Sequence, residues 1–330
     1  MPSENDQSTK AKTRKEKKEK TEKKDRTITL NPTVVVLATY VLLLISKLID
    51  ITLLNRDNEY LSVVILQIMV FLLPAAIWCK LSGENYIKKL RVRPPRANAI
   101  PIILVAPVLM ASGALLISMI FGGLDNLSGN FTLYNTFTSN SGGGISGKLY
   151  LVIAYAALPA ICEEFVYRGI LCCEYERGGV TRALIFSTLF FTLLHFDVKN
   201  LPVYLFAGII LALTFYVTRS LLGSILAHFL YNLFGIFGQP YMNTLYNITE
   251  SEKFFVFLIT VIFLLSAGIF SAEGARLYKK YLYRGESTSY RYPLPRSREE
   301  KKDSYLRVLK APSAIASFAV YIIAIIISFL

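Results

Sequence analysis

The chain is assembled from apolar runs about as long as a bilayer is thick. Nine can be counted, at roughly 32–54, 60–79, 99–122, 149–171, 182–196, 201–218, 220–238, 253–272 and 311–330. A helix needs about 20 mostly apolar residues to cross a hydrocarbon core of about 30 Å. Inside lipid, only helices and closed barrels satisfy every backbone polar group. Barrel strands would read as short alternating segments, and these runs do not alternate. The expected fold class is therefore all-α: a polytopic transmembrane helical bundle of eight or nine spans. Charged residues are 18% of the chain, against about 25% in soluble domains. That shortfall argues against a cytosolic enzyme, a disordered protein and a disulfide-knit secreted module.

Charge is placed unevenly. Residues 1–26 carry ten Lys/Arg against six acids, residues 80–98 six against one, and residues 273–310 eleven against five. Together these stretches hold 27 of the 36 basic residues. Alternating the spans from an N-terminus inside the cell puts each of these basic stretches on one face, as the positive-inside rule requires. The expected partners of the basic loops are anionic lipid heads, and no nucleic acid is expected. The four cysteines (Cys79, Cys162, Cys172 and Cys173) lie in or near apolar segments without C-x-x-C spacing, so free thiols are expected.

The organisation follows. Residues 1–26 read as a disordered basic cytoplasmic tail, and 27–98 as N-terminal spans with a basic loop. Residues 99–250 read as a transmembrane core. Residues 251–330 read as C-terminal spans around a basic cytoplasmic segment, 273–310, whose tyrosines give it an interfacial character.

Ionisable residues inside spans are costly and mark candidate function. Lys47 and Asp50, three apart near an expected outer end, read as a local snorkelling pair. The fourth span is different, because it contains Glu163, Glu164 and Arg168. Glu164 and Arg168 are four apart and can neutralise each other. Glu163 is turned about 100° from Glu164 and needs partners from other helices. The chain has two histidines, both in apolar helices. His195 ends Phe191-Thr192-Leu193-Leu194-His195, and His228 shares a helix face with Asn232. Counted from the nearest basic residue, Glu163, His195, His228 and Asn232 lie about 14–21 Å deep. A carboxylate, two imidazoles and an amide at one level suit amide hydrolysis. The carboxylate with one His takes a proton from water, and the other His with the Asn steadies the oxyanion. The same Glu163, His195 and His228 could instead ligate zinc, although the helical H-E-x-x-H pattern is absent.

These motifs, Glu-Glu-x-x-x-Arg at 163–168, Phe-x-x-x-His at 191–195 and His-x-x-x-Asn at 228–232, resemble those of the intramembrane CPBP family. That family comprises the type II CAAX prenyl endopeptidases and their bacterial relatives, some linked to bacteriocin immunity (Abi). The resemblance covers about residues 100–240. It implies an intramembrane glutamate-type endopeptidase, with Glu163 activating water, His195 assisting, and His228 and Asn232 forming the oxyanion hole. It implies support from Glu164 and Arg168, and a mechanism without metal. The expected partner is a membrane peptide or protein substrate, cleaved in CAAX-type processing or peptide maturation. The lysine-rich tail and the absence of a signal peptide point to a multi-pass protein of a prokaryotic plasma membrane. Two other readings compete: a catalytically silent immunity or binding protein, and a transporter using Glu163 and the histidines as a proton relay. The transporter would show internal repeats, and none is visible.

Overall fold

A computed structural model describes residues 31–48, 64–82, 90–122, 145–249, 251–284 and 297–329. The described residues are helical with short connections and contain no strand. The helices are α1 (Thr33–Leu48), α2 (Val64–Leu81), α3 (Ile100–Gly122), α4 (Gly147–Gly178), α5 (Val180–Leu193) and α6 (Leu201–Thr218). They continue as α7 (Leu221–Gly238), α8 (Gln239–Thr249), α9 (Glu252–Tyr283), α10 (Arg298–Leu309) and α11 (Pro312–Ser328). Six of them (α2, α3, α4, α6, α7 and α9) are long and apolar enough to cross a membrane. The pair α10–α11, bent by 54°, forms a seventh span if taken together. The chain is an integral membrane protein with an all-helical bundle, as expected.

One of the nine expected spans is shorter than the apolar run that announces it. α5 has 14 residues, about 21 Å of helix, because the chain unwinds at Leu194 and not after Phe196. α1 is described only to Leu48, so the Lys47–Asp50 pairing, the tail at 1–26 and the loop from 123 to 144 lie outside the described residues. The Lys47 ammonium instead sits 5.3 Å from the centre of the Phe196 ring. α9 continues past the expected span end at 272 to Tyr283, and the separate helix α10 starts at a Ser297–Glu300 capping box.

α4 is the central element, packed by α1, α2, α5, α6 and α7. α3 and α9 pack together beside α6, and α11 lies along α1. α4 is not a uniform α-helix, since Val152–Ala157 and Phe165–Cys172 are π-helical. The first π turn leads into Leu158-Pro159, and the π turn Ile68–Leu72 of α2 likewise leads into Leu73-Pro74. Proline cannot donate a backbone hydrogen bond, and its ring crowds the carbonyl of the preceding turn, so a widened turn accommodates it.

Basic residues from separate loops meet at one end of the bundle, the C-terminal end of α4. Arg91 pairs with Glu176 at 2.8 Å, and Arg93 Nε donates to the Arg219 carbonyl at 2.9 Å. Arg182 Nη1 donates to Ser304 Oγ at 2.9 Å. The Tyr281 ring of α9 lies under the Arg219 guanidinium at 3.9 Å and near that of Arg96 at 5.5 Å. The lipid-facing exterior is apolar, with Leu264, Leu265 and Ile322 more than half exposed. The four cysteines are free thiols.

Candidate active site

The site forms where α4, α5, α6 and α7 meet. The Glu164 carboxylate and Arg168 guanidinium pair at 2.8 Å with no exposure of either side chain. The i,i+4 reading of the sequence therefore holds across the junction between the α segment ending at Glu164 and the π segment starting at Phe165. Arg168 is fixed from two further directions. Its Nη2 donates to the Gly208 carbonyl of α6 at 2.9 Å, and its guanidinium lies 4.4 Å from the Phe191 ring centre on α5.

At Gly208 a larger residue would force its neighbours to give way. A Cβ there would stand 3.0 Å from both Phe191 Cδ1 and Thr188 Cγ2. This close approach of α6 brings its carbonyl within reach of Arg168.

His228, buried on α7, places Nδ1 3.1 Å from Glu164 Oε1. A carboxylate paired with Arg168 acts as acceptor, so the imidazole is held as the Nδ1–H tautomer and Nε2 carries its lone pair in the neutral ring. His228 thus contacts Glu164, the residue read as support, and not Glu163 directly. His195 lies in the turn after α5, with Nδ1 3.1 Å from the Phe191 carbonyl. A carbonyl can only accept, so this imidazole too is the Nδ1–H tautomer in its neutral form. Its ring stacks on Tyr204 with centroids 3.7 Å apart.

The turn that carries His195 is locally encoded. Phe196 adopts φ 47°. Asp197 then accepts from the Lys199 and Asn200 backbone N–H groups at 2.9 and 3.2 Å, folding the chain into Pro202 at the start of α6. The α1 hydroxyl of Tyr40 donates to the Phe190 carbonyl at 2.5 Å, pinning the end of α5 from the other side.

One aromatic ring holds the set together. Phe191 meets His195 at 5.2 Å and His228 at 6.0 Å, edge to face in both cases, and the Arg168 guanidinium at 4.4 Å. Both imidazoles therefore lie against one ring. Phe191 belongs to a motif read from the sequence, but its organising part was not legible there. Tyr204 and Gly208 gave no local signal, since Tyr204 meets His195 across a turn and Gly208 meets Arg168 from 40 residues away.

Glu163 is buried at 9% exposure, and among the described residues its carboxylate has no hydrogen bond or ion pair. Asn232 donates from Nδ2 to the Ala156 carbonyl of α4 at 3.4 Å, which leaves its second N–H unused. The structure thus brings Glu164, Arg168, His228 and His195 around Phe191, with Glu163 beside them on α4. Asn232 sits one turn along α7 from His228.

A zinc ion would need ligands gathered in one group. Among the described residues, no three His, Cys, Asp or Glu side chains are so gathered. Glu163, His195 and His228 do not fit a zinc triad as they stand.

Residues 145–234 match the family model described as type II CAAX prenyl endopeptidase Rce1-like. Over this segment the chain resembles that family. The matched residues run from the start of α4 to the last turn of α7 and hold the three motifs, so the resemblance read from those motifs is borne out. The family is one of proteases. No curated protein and no solved structure matches the chain. The Rce1-like segment is the part of the bundle that buries ions.

Proposed function

We propose that the protein is an intramembrane glutamate-type endopeptidase that cleaves a membrane-associated peptide or protein. The observation that carries this reading is Glu163: a buried carboxylate without a hydrogen bond or ion pair among the described residues, beside a neighbour, Glu164, whose Oε1 is held by both Arg168 and His228. Two adjacent carboxylates in such different surroundings divide the labour between acid–base work and support. Glu163 takes a proton from water, and the water oxygen bonds to the carbonyl carbon of the scissile peptide. Collapse of the tetrahedral intermediate breaks the C–N bond, and the proton held by Glu163 goes to the leaving nitrogen. His195, whose Nε2 keeps its lone pair, assists the proton transfer. Glu164 orients His228, as a carboxylate does behind a working imidazole, and Arg168 holds Glu164 in place. Asn232 retains one N–H for the oxyanion.

In this reading the reaction uses no metal, and the substrate is of CAAX type or a membrane peptide undergoing maturation. The protein works in a prokaryotic plasma membrane, with its basic end against anionic lipid heads. The test is cleavage of a membrane-peptide library by the wild type and by Glu163→Gln, both purified as folded detergent complexes, with and without chelator. The expected result is cleavage by the wild type that chelator leaves unchanged and Glu163→Gln abolishes. Equal cleavage by both proteins would overturn the proposal. Chelator-sensitive cleavage with stoichiometric metal would overturn its metal-free part.

A further inference from the structure

Hydrolysis through a tetrahedral intermediate needs proton donors where the oxyanion forms, and the histidines of this site do not readily provide them. His228 directs Nδ1 at Glu164 and His195 directs Nδ1 at the Phe191 carbonyl. In each neutral ring the remaining nitrogen accepts and does not donate. Asn232 has one N–H left, its other reaching the Ala156 carbonyl, seven residues before Glu163 on α4. A further donor close to Glu163 is therefore needed.

Tyr167 meets that need. Its side chain has no exposure, and its hydroxyl has no hydrogen-bond partner among the described residues. A buried phenol normally finds one, and leaving it without costs about 1–3 kcal/mol. Tyr167 follows Glu163 by four positions on α4. The neighbouring pair one position on, Glu164 and Arg168, meets at 2.8 Å across the same α-to-π junction, so this backbone brings i and i+4 side chains together. Helical side chains also lean toward the N-terminus, which carries the phenol back toward the level of Glu163. The ring is fixed edge to face on Phe191, with centroids 5.6 Å apart, the same ring that holds both histidines. Glu163 and Arg168 are the charges within electrostatic reach of the phenol. Glu163 and the Tyr167 hydroxyl thus share a helix stripe, both buried, each without a partner and neither bonded to the other.

We infer that Tyr167 is a further catalytic residue of this site, donating its hydroxyl hydrogen to the oxyanion that forms on the scissile carbonyl. This rests on the endopeptidase reading above. When the water oxygen bonds to the carbonyl carbon, the C=O π pair moves onto oxygen, and the Tyr167 O–H bonds to that charge without giving up its proton. Collapse restores the C=O bond and expels the nitrogen with the proton from Glu163, leaving Tyr167 as it began.

Tyr167→Phe removes one oxygen and keeps the ring on Phe191. The wild type, Tyr167→Phe and Glu163→Gln are compared on the library peptide that the wild type cleaves best. Binding of a phosphinic analogue of that peptide, whose P–O⁻ stands in for the oxyanion, is measured calorimetrically on the same samples. The expected result for Tyr167→Phe is a kcat lower by on the order of 100-fold, KM within about twofold, and analogue affinity weakened in proportion to kcat/KM. A kcat loss below tenfold, a loss confined to KM, or an analogue that binds Tyr167→Phe as tightly as wild type would each overturn the inference. If Glu163→Gln abolishes cleavage while Tyr167→Phe leaves it intact, only the role of Tyr167 falls. If the wild type cleaves nothing, or Glu163→Gln cleaves as well as wild type, the endopeptidase reading falls and takes this inference with it.

Discussion

α4 and α9 have the same length, 32 residues each, and they meet the bilayer in opposite ways. α9 runs as one unbroken α-helix whose charges stand in its first turn and in its last three turns. Its middle faces outward, with Leu264 and Leu265 each 62% exposed. Backbone hydrogen bonding and apolar side chains are all that lipid asks of it. α4 carries Glu163, Glu164 and Arg168 in its middle, twice widens into π turns, and is enclosed by five other helices. Stability alone favours the α9 solution, because taking ions out of water costs several kcal/mol apiece before pairing returns any of it. A helix that keeps three ionisable groups out of water against that cost marks a candidate functional site. The family match falls on α4 to α7 and stops well short of α9.

The sharpest way to break this contrast is to unpair the centre of α4. Arg168→Met leaves Glu164 buried without its cation. The expected cost is about 3–5 kcal/mol, read as a large drop in the folded fraction during mixed-micelle unfolding. Arg168→Lys keeps the charge but cannot reach Glu164 and the Gly208 carbonyl together, so it should recover only part of the loss. A Met variant as stable as wild type would show that the ion pair does not hold α4 in place.

Gly208→Ala tests the close approach of α6. The added methyl must push Phe191 or Thr188, at an expected cost of about 1–3 kcal/mol. Cleavage should fall more steeply than stability, because Phe191 carries both histidines. A smaller effect is expected at Tyr204→Leu, which takes away the stack on His195. Aromatic pairs contribute about 0.5–1.5 kcal/mol beyond burial, so activity should drop by up to about tenfold with little change in unfolding. Smallest of all is Leu264→Ile on the lipid face of α9, expected within about 0.5 kcal/mol of wild type and fully active. A large effect there would mean that α9 has a protein neighbour on that face.

The sequence and the structure agree best where information is local. Apolar run length announced the bundle, and the i,i+4 spacing announced Glu164–Arg168, because both depend on neighbours a few residues apart. The three motifs fall on α4, at the end of α5 and on α7. What escaped reading depends on distant contacts or on departures from the regular helix. His228 reaches Glu164 from 64 residues away, so spacing could not tell which of two adjacent glutamates it meets. The π turns alter a helical period that the reading took as 3.6 residues throughout. The early end of α5 is set by the Phe196 and Asp197 turn, which apolar counting passes over. Tyr167 lay in plain view between Glu163 and Arg168, but an aromatic in an apolar helix reads as core until its hydroxyl is seen to lack a partner.

The central claim is that Glu163 is the working carboxylate and Glu164 the structural one. The direct test is a side-by-side comparison of Glu163→Gln and Glu164→Gln for cleavage and for unfolding in the same detergent. The account predicts that Glu163→Gln unfolds like wild type and cleaves nothing, while Glu164→Gln loses stability and, with Arg168 and His228 unmoored, loses cleavage as a consequence. A Glu163→Gln protein that still cleaves at the wild-type rate would contradict it.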